Sequence, residues 1–280
     1  MNSKLNDCYK RPALKIEDDI PIFSQTDFYT ENYDRIAEVH LEHFEATGHN
    51  PFMPEDHWRE LEKSTEELVK KYAVEPGIKI LDVGVGMGRL LEHFPKLNRF
   101  GMDISLGYLR HAKAKGVEVC LSRIEEMPYK NNYFDMLVTT DVLEHVFDLN
   151  LALREMLSVV KEGGVVVVRV PYKEDLKLYL HPDFPYDFVH LRSFDESSLR
   201  ILFEKILNVQ VLEITFTGYR CGRPKVGANF RYYAGVIRRI MSMVRLLPGT
   251  IYTYISQRVL QPVEINIVIR NSKMDPKRSP

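Results

Sequence analysis

An apolar run that breaks into three alternating glycines and then resumes constrains this 280-residue chain more than any other feature. It reads Ile80-Leu81-Asp82-Val83-Gly84-Val85-Gly86-Met87-Gly88-Arg89-Leu90-Leu91, the pattern of a strand, a tight turn and a helix start. Gly84, Gly86 and Gly88 permit positive φ and let a ligand approach the main chain with no Cβ in the way. The unsatisfied N–H groups of the following helix, near Met87 to Arg89, then face that ligand. Taken alone, the pattern also fits a nicotinamide or flavin enzyme, or a merely tight turn.

Two carboxylates narrow the choice. Arg99-Phe100-Gly101-Met102-Asp103-Ile104-Ser105 reads as a second strand ending in an acid, placed where it can accept hydrogen bonds from both ribose hydroxyls. Asp82 stands before the first glycine rather than after the last. A carboxylate there suits a ligand bearing an ammonium group and opposes a pyrophosphate, because like charges repel.

With these residues the chain resembles the class I S-adenosylmethionine-dependent methyltransferases. Tyr133-Phe134-Asp135-Met136-Leu137-Val138-Thr139-Thr140-Asp141-Val142-Leu143-Glu144-His145-Val146 resembles the family's fourth-strand block. Leu157-Ser158-Val159-Val160-Lys161-Glu162-Gly163-Gly164, followed by Val165 to Val170, resembles its L-K-P-G-G turn into the fifth strand, with Glu162 in place of proline. The resemblance covers residues 75 to 215. It implies a Rossmann-like, doubly wound α/β fold, with a seven-stranded, mainly parallel sheet and a final antiparallel strand.

S-adenosyl-L-methionine is the cofactor that the resemblance implies. Asp82 and the Gly84, Gly86, Gly88 turn would hold its methionine end, Asp103 its ribose, and Ile104 its adenine face, with Asp141 a further cofactor-binding residue. In the family's D-A-E-x-L-P-F-like stretch an Asp bonds the adenine amino group, but here Arg123-Ile124-Glu125-Glu126-Met127-Pro128-Tyr129 puts an arginine at that position. Arginine cannot accept a hydrogen bond. The edge contact therefore passes to Ser122, backbone or water, and Ile124 is the residue assigned to the adenine.

On the acceptor side, Asp141-Val142-Leu143-Glu144-His145 resembles the E-x-L-E-H metal-binding block of the ubiquinone-biosynthesis O-methyltransferases. Asp141, Glu144 and His145 could thus hold a divalent ion that lowers the pKa of a hydroxyl acceptor. L-E-H also stands in metal-free relatives, where His145 would act as a base or only pack its helix. The loop His181-Pro182-Asp183-Phe184-Pro185-Tyr186-Asp187-Phe188-Val189-His190-Leu191-Arg192 follows the fifth strand, at the sheet end where α/β enzymes bind ligands. Its rings, His, Asp and Arg suit a polyhydroxylated or ring-shaped acceptor. A hydroxyl needs a proton acceptor at neutral pH, so His190 is the first candidate base and His145 the second. The alternative for His190 is a hydrogen-bonding histidine that orders the loop.

The chain divides, within one domain, into an arm and helical lid (1–74), a cofactor-binding core (75–214), an insertion (215–263) and a last strand with its tail (264–280). Residues 1–20 are mostly polar and read as a loosely held arm. Helical periodicity over Phe28 to Ala46 and Glu55 to Tyr72 places Tyr29, Tyr33 and Asp34 to fold over the cofactor mouth, unless these helices simply cover the sheet. Val209 to Phe216 and Glu264 to Arg270 read as the last two strands, which form an antiparallel hairpin in the family. From Thr215 to Val263 stand eight basic residues and no acid; the whole chain is near balance, with 38 Lys+Arg against 39 Asp+Glu, so the remainder carries a formal net charge of −9. Residues 231–258 read as a basic amphipathic helix suited to anionic headgroups or phosphates, or to a contact in a homo-oligomer.

Cys8, Cys120 and Cys221 lack the spacing of a disulfide framework or zinc site. With no apolar leader or spanning run, the expectation is a cytoplasmic protein, at most peripheral on the inner membrane face. Asn271 to Pro280 reads as a disordered tail. No N-P-P-Y-type base-flipping motif follows the fourth strand, and the charge balance gives nucleic acid no general attraction. The expected activity is methyl transfer to a hydroxyl of a small molecule or glycan, including one linked to a lipid or phosphate carrier. The alternatives are methylation of a polyprenyl quinone precursor at the membrane surface and a non-catalytic cofactor-binding scaffold.

Overall fold

A computed structural model describes residues 7–220, 239 and 260–273. The first elements are β1 (Lys15–Glu17), β2 (Ile20–Ile22), α1 (Phe28–Thr47) and α2 (Glu55–Tyr72). The core follows as β3 (Lys79–Val83), α3 (Arg89–Glu92), β4 (Asn98–Asp103), α4 (Leu106–Ala114), β5 (Glu118–Leu121), β6 (Phe134–Thr140), α5 (Leu149–Val159) and β7 (Val160–Pro171). Then come α6 (Glu196–Arg200), continued by a wider helical turn over Ile201–Ile206, and the strands β8 (Val209–Thr217) and β9 (Glu264–Lys273).

These strands form one nine-stranded sheet in the order β1-β2-β5-β4-β3-β6-β7-β9-β8. From β2 to β7 every neighbouring pair is parallel, while β9 runs antiparallel to both β7 and β8. Apolar side chains cover both faces, as near-continuous strands such as Val165 to Val170 require. One face packs on Leu68 and Val69 of α2, Leu90 and Leu91 of α3, and Leu109 and Ala112 of α4. The other packs on Ala152, Leu153 and Met156 of α5 and Leu199 of α6. Strand order reverses between β3 and β6, so the crevice beyond their carboxyl ends is the natural ligand site of the fold.

The sheet has two strands more than the seven expected, because the segment read as a loose arm is ordered from residue 7. Arg11 donates from Nη1 to the Phe23 carbonyl and from Nη2 to that of Glu126. Tyr9 stacks on Tyr129 and packs at a tilt against Phe23, and β2 then joins β5 in parallel. At the other end β9 runs on through Lys273, so Asn271 belongs to the strand rather than to the tail, and its side-chain amide bonds the Leu157 and Val160 carbonyls. The basic helix expected over 231–258 and the remainder of the tail lie outside the described residues, apart from Arg239. No helix among the described residues is long and apolar enough to cross a membrane.

Candidate functional site

The glycine turn leaves β3 with Gly84 at φ +77°, a conformation that L side chains avoid. A Cβ at Gly84 would come within 2.2 Å of the Val142 side chain, so this glycine lets the turn pack against the segment after β6. Gly84 and Val85 donate their N–H groups to the Met102 carbonyl. The Gly86 N–H is taken by Asp103 at the end of β4, and that of Gly88 by the Val85 carbonyl. The helix that follows, Arg89–Glu92, is a single turn. Of the N–H groups expected to face a ligand near Met87 to Arg89, that of Gly88 is thus taken within the turn.

Asp103 accepts three backbone N–H groups, from Gly86, Ile104 and Ser105, at 2.8 to 3.0 Å. Asp82 is buried, and its Oδ1 has no hydrogen-bond partner among the described residues. Burial pushes the Asp82 carboxyl up to about 8, with Asp103 adding to the rise and Arg169 opposing it. An orphaned, desolvated acceptor beside a glycine turn fits a ligand that brings an ammonium group into the cavity.

Beyond this turn opens a cavity of about 1060 Å³. Gly84, Gly86, Asp103, Ile104, Ile124 and Asp141 all line it, as do His145 and His190, whereas Asp82 lines a smaller adjoining cavity. Tyr29 and Tyr33 of α1 reach its wall, but Asp34 is not among the lining residues. Asp27 starts α1 with a reciprocal capping box to Thr30. The helix then pins the acceptor loop: Asn32 donates to the Phe188 carbonyl at 2.8 Å and Tyr33 to that of Val189 at 2.6 Å. Arg123, at the position where an adenine-binding acid was expected, turns to the Asp27 carboxylate at 2.6 Å and lies over the Tyr29 ring. Its neighbour Ser122 is buried and also lines the cavity.

Asp141, Glu144 and His145 do not converge as one ligand set. Asp141 adopts a left-handed backbone at φ +57° and pairs with the buried Arg169 at 2.5 Å. His190 takes its place: Glu144, His145 and His190 present ligand atoms all within 4.8 Å of one another. Both Glu144 oxygens are buried without a hydrogen-bond partner among the described residues, and burial pushes this carboxyl well above the usual range, with Asp141 adding. One carboxylate and two imidazoles fit a divalent ion in number and donor type.

The two histidines stand edge to face, with ring centroids 4.6 Å apart. The His145 Nδ1 donates to the Val189 carbonyl at 3.1 Å, which leaves the lone pair on Nε2. Burial lowers its pKa to about 4, so the ring is neutral near pH 7. His190 bonds through Nδ1 to the Glu174 carboxylate, and Tyr179 donates to the other Glu174 oxygen at 2.6 Å. Burial would raise the Glu174 pKa, but the hydrogen bonds from His190 and Tyr179 hold it below its ordinary value. Sequence reasoning missed Glu174 and Tyr179, which lie in an irregular stretch with no periodic signal. Arg169 was also missed, although a charge inside the run Val165 to Val170 signals a buried partner.

Comparison with known proteins bears on the family and the fold. A family model described as a methyltransferase domain matches residues 81–168. An uncharacterized protein of Methanocaldococcus jannaschii is 35% identical over 109 residues, 39% of this chain and 48% of that protein. A tRNA (carboxymethyluridine(34)-5-O)-methyltransferase of Arabidopsis thaliana is 34% identical over 97 residues, covering 34% of this chain and 24% of that one. The ubiquinone/menaquinone biosynthesis C-methyltransferase UbiE of Vibrio cholerae is 32% identical over 106 residues, 33% of this chain and 41% of the enzyme. The chain thus spans about half or less of the length of these curated relatives.

Among solved structures, an S-adenosylmethionine-dependent methyltransferase of Thermotoga maritima superposes with a TM-score of 0.55 at 17% identity, covering 87% of this chain and all of that one. The YcgJ protein of Bacillus subtilis gives 0.51 at 16% identity, covering 76% and 99%. At these identities the structures speak for the fold. The glycine turn with its two flanking acids, the sheet order and the matched model agree: the chain carries, over residues 81–168, a methyltransferase domain of the class I S-adenosylmethionine-dependent type, with S-adenosylmethionine as its cofactor.

Proposed function

We propose that the chain transfers the methyl group of S-adenosylmethionine to a hydroxyl of a small-molecule or glycan acceptor, with His190 as the general base. The observation that carries this reading is the Tyr179, Glu174, His190 series of hydrogen bonds at the wall of the cavity. Because Nδ1 of His190 donates to a carboxylate, its Nε2 keeps the lone pair that a base needs. Glu174 orients the ring and stabilises the imidazolium that forms when the proton arrives. Neutral His145 is the second candidate base.

Asp82 and the Gly84 to Gly88 turn would hold the methionine end of the cofactor together with Asp141, Asp103 its ribose, and Ile104 and Ile124 its adenine. The bound cofactor supplies an electrophilic methyl group on a sulfonium. Displacement there needs little covalent help, so the protein's share is positioning and exclusion of water. Tyr29 and Tyr33, fixed by α1, close one side of the space in which that happens.

Methylation of a polyprenyl quinone precursor is the second reading, favoured by the likeness to the Vibrio enzyme. Under either reading, the eight basic residues between Thr215 and Val263 suit an acceptor that carries phosphate or sits among anionic headgroups. A labelled-methyl transfer screen against sugar nucleotides, lipid-linked glycans, quinone precursors and tRNA separates these classes. His190→Ala is expected to abolish turnover of the accepted substrate while leaving cofactor affinity at the native level. Normal turnover in that variant would move the base elsewhere.

A further inference from the structure

Behind the glycine turn lies a second cavity of about 170 Å³, sharing Gly84, Gly86 and Asp141 with the larger one and walled by Asp82, Thr65 and Arg169. Arg169 sits in β7, in register with Thr140 of β6 and Asn266 of β9, and is only 3% exposed. Its Nη1 donates to Thr65 at 3.0 Å and its Nη2 to Asp141 at 2.5 Å. The Nε is buried and has no partner among the described residues, and the same is true of Oδ1 on both Asp82 and Asp141. Orphaned donors and acceptors around one small cavity are the complement of a ligand that carries both charges.

The amino-acid end of the cofactor is such a ligand, with one ammonium and one carboxylate. Asp82, ionised, can only accept, and so can serve only the ammonium. The carboxylate needs a cation, and three basic side chains line this cavity: His40, Arg89 and Arg169. Burial lowers the pKa of His40 to about 4, which leaves it neutral, with Nδ1 engaged by the Tyr108 hydroxyl. Arg89 is already committed to Glu62 through two bonds and to Glu55 through a third, while stacking on Trp58. Arg169 alone of the three combines a full charge with a buried N–H that has no hydrogen-bond partner among the described residues.

We propose that Arg169 is the clamp for the α-carboxylate of S-adenosylmethionine, bridging it to Asp141, while Asp82 takes the ammonium. A guanidinium fork held in a central strand offers Nε and Nη2 as parallel donors with little freedom to lose on binding. Asp141 holds that fork in place from one side and leaves its own Oδ1 for the ammonium. The assignment rests on the cofactor site being the one built around Asp82 and Asp103.

Calorimetry with three ligands tests it: S-adenosylmethionine, its decarboxylated analogue, and 5′-methylthioadenosine, which lacks both charged groups. The native protein is expected to prefer S-adenosylmethionine over the decarboxylated analogue by at least about tenfold, the scale of a charge-assisted pair. In Arg169→Gln that preference collapses while affinity for methylthioadenosine stays native, a readout that a merely structural arginine would not give. Arg169→Lys, which keeps the charge but not the fork, is expected to lose part of the preference and carries the test if the Gln variant does not fold. Equal native affinities for the two charged ligands, or an unchanged preference in a folded variant, overturns the assignment. Failure of the native protein to bind any of the three would instead overturn the cofactor site itself.

Discussion

The Asp103 carboxylate accepts the Gly86 backbone N–H at 2.9 Å and so ties the end of β4 to the apex of the turn leaving β3. Its other oxygen takes the Ile104 and Ser105 N–H groups. One side chain therefore sets the spacing between the two elements proposed to hold the cofactor.

Asp103→Ala is expected to release three backbone donors and remove the acceptor proposed for the ribose. Affinity for S-adenosylmethionine, read by calorimetry, should fall by at least about tenfold, because bonds to a charged group are the strong ones. Native affinity in this variant would place the ribose elsewhere.

Asp82 is held at a cost to the unliganded fold. Its carboxyl goes from an ordinary 3.8 to about 8 in the folded protein, so between these values the folded state binds more protons than the unfolded one. Stability from this group accordingly falls as pH rises through that window. Asp82→Asn removes the dependence: its melting temperature should exceed the native value by a margin that widens from pH 5 to pH 8 without ligand. A margin that stays flat, or narrows, contradicts the shift. The same variant should bind S-adenosylmethionine more weakly.

Glu174 acts through His190, and its removal should show in the rate rather than in cofactor binding. Glu174→Gln is expected to lower kcat by about 10- to 1000-fold, within the range of general-base contributions. The cofactor dissociation constant should remain native, and Glu174→Asp should recover part of the rate. An equal loss in the Gln and Asp variants would point to packing instead of positioning.

The glycine turn makes a contrast between neighbours. At Gly84 a Cβ would meet the Val142 side chain at 2.2 Å, whereas at Gly86 it would meet nothing within 4 Å. Both have positive φ, at +77° and +50°. Gly84→Ala should therefore lower the melting temperature by more than Gly86→Ala, which carries backbone strain alone of about 1 to 2 kcal/mol. Gly86→Ala should act mainly on cofactor affinity, since its Cβ would enter the cavity.

Much of the donor half was legible in the chain because it is written in local backbone terms. Period, glycine spacing and two acids at strand ends determine β3, the turn and β4, and the strands and helices from Lys79 to Pro171 follow the same alternation of apolar runs and turns. The acceptor half was not, because its geometry depends on partners distant in sequence. Asp141 was read with Glu144 and His145 from spacing alone, yet its left-handed backbone sends it to Arg169, 28 residues on, and His190 joins Glu144 and His145 in its stead. Arg169 itself is fixed by Thr65, 104 residues away. The amino-acid sequence by itself determined the fold class and the cofactor, which rest on neighbouring residues and backbone conformation. Only the tertiary structure decided which buried acids pair, which stay orphaned and which imidazole meets a carboxylate, since each depends on how distant segments exclude water from a shared space.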